Sequence, residues 1–202
     1  MSTGDNIRNA VHVLYKTYAS ISKLMEQCRA EAEANGYLLM SDKFLRWKSD
    51  SSSDGWLLNS MILVFQRRDD PDCDSNNGWK NAPIYTMEVC LALKDEPNYG
   101  PELVLTKFEY TNIGDWHEGC SPADHWGFHQ PVHPGKKLPF SFAEDGVYRV
   151  ITPTNSKKAE NYWDLNRAVS MAHPLVDVTS TNMIEMVFGS FNKLAEYKRG
   201  LE

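Results

Sequence analysis

The sequence predicts an α+β fold, and three observations carry that prediction. The first 34 residues place apolar side chains at helical spacing, the chain then changes to strand-like apolar runs, and the links between those runs are short. Parallel strands need crossovers of a dozen residues or more, so short links imply an antiparallel sheet. The expected architecture is a long N-terminal helix, a sheet of about five strands and two C-terminal helices packed on it. All 202 residues are expected to form one domain, with an irregular loop over 112–146.

The N-terminal helix is predicted over residues 6–34. Ile7, Val11, Leu14, Tyr18, Ile21, Met25, Cys28 and Ala32 alternate steps of four and three, which suits a core-facing stripe or a helical pairing between subunits. Asn35-Gly36 then supplies a stop, because both residues tolerate the left-handed conformation. Strands are expected at 37–48, 56–67, 83–94, 102–111 and 147–152. Met61-Ile62-Leu63-Val64-Phe65 is apolar on both faces, which places the second strand centrally. The closing helices are expected at 157–172, stopping before Pro174, and at 182–197, where Asn182 and Glu185 resemble a capping box. Gly189 inside the latter costs about 1 kcal/mol against Ala, so close packing is its expected reason.

Composition excludes several classes. Hydrophobic residues make up 42% and charged residues 24%, close to the globular average, so wholesale disorder is ruled out. The longest apolar stretch is far short of a membrane span. A formal net charge of −6 and basic clusters no larger than Lys136-Lys137 and Lys157-Lys158 argue against nucleic acid as main partner. The four cysteines contain no Cys-x-x-Cys pair and the N-terminus has no export signal, so a reducing cytoplasm is the expected compartment.

Candidate chemistry concentrates in residues 115–133, which hold four of the six histidines. His117, Cys120, His125, His129 and His133 are ligand types that zinc and other transition metals prefer, and three protein ligands plus water make a catalytic centre. Steps of four from His125 to His133 would align on a helix, yet Gly127 and Pro131 argue for a loop. There is no His-Glu-x-x-His, no Gly-x-Ser-x-Gly and no phosphate-binding glycine motif. Asp72 and Glu88 invite comparison with strand carboxylates that hold Mg²⁺, but Cys90 stands where a water-orienting Lys is needed.

Two functions follow as expectations. The leading one is a non-catalytic binding or regulatory protein with no cofactor. It would recognise a protein partner or small ligand through Trp116, Trp126, Phe128, His125 and His129, because tryptophan gives large contact area at low entropy cost. The alternative is a zinc-type hydrolase using the 117–133 histidines to activate water. Self-association through the long apolar stripe of the first helix is also expected.

Overall fold

The computed structural model describes residues 2–93, 96, 98–133 and 138–198. Helix α1, Thr3–Glu31, starts at a capping box in which the Ser2 hydroxyl accepts from the Asp5 amide while the Asp5 carboxylate accepts from Ser2. It ends in a short turn closed by Gly36 at φ 81°, as the Asn35-Gly36 signal predicts. Strands β1 (Tyr37–Leu39), β2 (Ser60–Arg67), β3 (Ile84–Cys90) and β4 (Glu102–Tyr110) follow as an antiparallel meander. The chain then forms α2 (His125–Val132), β5 (Phe140–Asp145), β6 (Tyr148–Pro153), the one-turn α3 (Ser156–Ala159) and β7 (Leu165–Pro174). A π-turn over Glu185–Gly189 runs into α4, Ser190–Glu196. The seven strands form one antiparallel sheet in the order β1-β2-β3-β4-β7-β6-β5.

The central strands β2, β3 and β4 are buried on both faces. One face carries Leu63, Phe65, Tyr85, Met87 and Leu105, covered by the second half of α1 and by Phe188, Phe191 and Leu194. The other carries Ile62, Val64, Val104, Phe108 and Ala168, covered by Phe128 and Val132 of α2 and by Trp79. This two-sided burial explains why β2 and β3 read as near-continuous apolar runs.

Three expectations need correction. The sheet has seven strands, not about five. The helix expected at 157–172 is replaced by the short α3 and by β7, which pairs with β4 along its length. Trp163 and Asp164 both take positive φ, 56° and 57°, and this pair turns the chain out of helical geometry before β7 begins. The segment 112–146 is not an irregular loop: it contains α2 and β5. Ser121 and Asp124 form a capping box with Pro122 at the first turn, so a start signal offsets the breakers Gly127 and Pro131. Burial of Phe128, Pro131 and Val132 then holds the helix despite the backbone bond that Pro131 cannot donate.

The strand expected over 37–48 is also shorter. After β1 the Met40 amide still donates to the Val64 carbonyl, the chain then leaves the sheet edge, and Leu45 bridges back to Ile62 of β2. Helix α1 behaves differently along its length. Ile21, Met25 and Cys28 are buried, whereas Ile7, Val11, Val13 and Tyr15 are exposed. Its first half therefore projects from the sheet, and the accessible surface of 11799 Å² exceeds the roughly 9,600 Å² expected for a compact chain of this mass. No helix among the described residues is long and apolar enough to cross a membrane. Lys136-Lys137 lies outside the described residues.

Candidate metal centre

Strand periodicity sends Ile84, Thr86, Glu88 and Cys90 toward α2, and Tyr85, Met87 and Val89 toward α1 and α4. Glu88 is thus a carboxylate in the middle of a strand whose seven residues are all buried, and it is only 2% exposed. A charge in that position is costly unless it is paired. The partners come from α2 and the residue that follows it. His125, His129 and His133 recur every four residues, so one helix face presents all three rings to the sheet.

The contacts are short and continuous. The Ser60 hydroxyl donates to Glu88 Oε1 at 2.5 Å and lies 2.7 Å from His125 Nε2, which leaves His125 as the donor to Ser60. His129 Nδ1 lies 2.6 Å from the same Oε1, and His133 Nε2 lies 3.1 Å from Oε2. The imidazoles stack in sequence, with centroids 4.8 Å apart for His125–His129 and 4.4 Å for His129–His133. Tyr99 meets the His133 ring edge-on, and its hydroxyl donates to Glu102 at 2.7 Å.

Electrostatics divide these groups. Burial alone would raise the Glu88 carboxyl, but His133 and His129 hold it well below the usual carboxylate range. Burial, reinforced by His129, pushes His125 down to about 4, so its ring is neutral at physiological pH. Burial also opposes charge on His133, and Glu88 outweighs it, leaving that ring raised. Cys90 is pushed up by burial and by the Glu88 charge, and therefore stays a thiol in the metal-free protein.

Among the described residues, two groups of ligand atoms converge within 4.8 Å: Glu88 with His125 and His129, and Glu88 with Cys90 and His133. Both share Glu88. Beside the second lies a cavity of about 380 Å³ lined by His133, Tyr99, Glu102, Glu144, Arg149 and Ser170, among others. No protein-family model, no curated protein and no solved structure matches this chain.

The structure thus gathers His125, His129 and His133 of the sequence-expected ligands and leaves His117 and Cys120 outside both groups. His117 is exposed, and its carbonyl accepts from the Trp79 indole. Cys120 is raised to about 12 by burial and Asp124, so it remains a protonated thiol. Of the recognition residues, Phe128 is core at 1% exposure, and Trp126 lies at the surface against Tyr162 and Trp163. Trp116 packs among Trp79, Tyr110 and Trp163. Sequence reasoning missed Glu88 as the partner of the histidines, and it missed Ser60. A lone carboxylate in an otherwise apolar strand was the available signal. Asp72 does not join Glu88: it is largely exposed and pairs with Lys80 at 2.7 Å.

Proposed function

We propose that this is a metal-dependent binding protein, holding a divalent transition metal of the zinc class through Glu88, His125 and His129. The observation that carries the reading is a buried carboxylate on a central strand faced by His125 and His129 of α2 and by His133 just after it. His125 and His129 are one helical turn apart, a natural chelating pair, and the carboxylate completes three protein ligands. A tetrahedral zinc site sets ligand atoms about 3.4 Å apart, so the Glu88–His129 contact opens slightly as the metal replaces the shared proton. Ser60 and His133 then serve as outer partners of the Glu88 carboxylate. The metal ties α2 to the sheet, and the cavity beside His133 receives the small ligand.

Elemental analysis after zinc-supplemented expression tests this. Near-stoichiometric metal in the native protein, lost when His125 and His129 are both replaced by Ala, is the expected result. Metal well below stoichiometry, or retention by the double variant, overturns it. A second reading, a metal-dependent hydrolase, is favoured by one feature: the Glu88–Cys90–His133 group lies beside that cavity, where a metal would keep a position open for water. Zinc-dependent turnover of simple ester or phosphoester substrates that is abolished in His133→Ala selects this reading over the first.

A further inference from the structure

A second cavity of about 220 Å³ lies on the same face of the sheet and contains none of the metal-centre residues. Its walls include Trp79, Trp116, Trp163 and Phe128. Trp116 packs edge-on to Trp79 with centroids 5.2 Å apart and tilted 56° against Trp163 at 5.3 Å. Phe128 closes the far side at 5.3 Å from Trp163, with an interplanar angle of 55°. Edge-to-face and tilted contacts at these distances are direct packing, so Trp79 and Phe128, each 1% exposed, back the cavity while the half-buried Trp116 and Trp163 supply its open aromatic surface. Trp79 is fixed by the hydrogen bond from its indole nitrogen to the His117 carbonyl. Phe128 is fixed by burial in the core. The walls are therefore formed before any ligand arrives.

The charge is one-sided. Asp115 and Asp124 line the mouth, and no Lys or Arg is among the described lining residues. Two half-buried indoles backed by Trp79 and Phe128, with two carboxylates beside them, make an electronegative pocket that attracts a cation with no N–H group to satisfy. A primary ammonium would need convergent acceptors on three sides, whereas a methylated ammonium needs only ring faces and a nearby negative charge.

We propose that this cavity is a binding site for a methylated ammonium group, presented either by a small quaternary amine or by a trimethylated lysine. It is independent of the metal reading, because none of its residues is a proposed ligand.

Isothermal titration of the full-length protein with choline, its neutral carbon isostere 3,3-dimethylbutanol, free trimethyl-lysine and a trimethyl-lysine peptide tests the proposal. Saturable binding of choline at least about tenfold tighter than the isostere is expected. Trp116→Ala should abolish it and Trp116→Phe should recover part of it, with circular dichroism confirming that both variants fold. Asp115→Asn changes an exposed side chain and should weaken choline while leaving the isostere unaffected. A peptide that binds far more tightly than free trimethyl-lysine identifies a protein tail as the source, and equal affinities identify the small amine. Equal affinity for choline and the isostere, or no saturable binding of any cation by the native protein, overturns the proposal.

Discussion

Replacing Gly127 by Ala sets two effects of known size against each other. In an isolated helix the change stabilises by about 1 kcal/mol, because glycine loses more backbone freedom than alanine on folding. In α2, however, a Cβ at position 127 would run into the Trp163 ring, contacting three of its carbons. Trp163 cannot easily withdraw. Its backbone is held in the left-handed region, and its ring is wedged among Trp116, Trp126 and Phe128. Overpacking costs about 1–3 kcal/mol, and a collision with three carbons of a wedged ring lies in the upper part of that range, about 2–3, so a net loss of about 1–2 kcal/mol is expected. For a chain of this size that is a drop in Tm of about 2–8 °C, readable by thermal and urea denaturation. Repeating the substitution in a Trp163→Ala background isolates the cause, since there the collision is gone and Gly127→Ala should be neutral or stabilising. A raised Tm in the native background, or the same loss in both, would refute the argument that close approach of α2 to Trp163 requires this glycine.

Other outcomes follow from the same geometry. Phe191→Ala should cost about 3–5 kcal/mol in urea unfolding, because the ring is fully buried among Tyr37, Phe65, Tyr85 and Phe188. Deleting residues 2–14 should change stability by less than about 1 kcal/mol, since every one of them is exposed or half-buried and none belongs to the core. Metal-free protein should lose stability as pH falls from about 6.5 to about 4. The unfolded chain takes up the His125 proton near 6.5 while the folded chain resists it to about 4, so acid favours the unfolded state. His173, held down by burial and Lys193, acts in the same sense. Raised His133 has its full stabilising effect below 6.5 and does not oppose the trend there. A His125→Gln variant should show a shallower pH dependence in urea midpoints, and an unchanged slope would contradict the assignment.

The parts of this fold legible in the sequence are those where local pattern and tertiary environment agree. The Asn35-Gly36 stop and the apolar runs Met61–Phe65 of β2 and Leu103–Leu105 of β4 each announce their element. β7 was hidden because Ala168, Ala172 and Met171 suit a helix as well as a strand. Pairing on both sides, with β4 and β6, decides between them. β5 was hidden because Ala143, Glu144 and Asp145 carry little strand propensity, and its partner β6 supplies the register. Within the candidate centre, histidine spacing was visible but its meaning depended on whether 125–132 is helical, and Pro131 pointed the wrong way. Glu88 lies 37 residues upstream of His125, and only the folded sheet shows that it meets all three rings' network.

The proposed metal takes nitrogen and oxygen ligands, from His125, His129 and Glu88. X-ray absorption at the zinc edge of the loaded protein reads this directly. The expected result is a shell of about four nitrogen and oxygen neighbours near 2.0–2.1 Å, with the outer scattering of two imidazole rings. A sulfur neighbour at about 2.3 Å would move the metal to Cys90 or another thiol and contradict it. So would a shell without imidazole scattering.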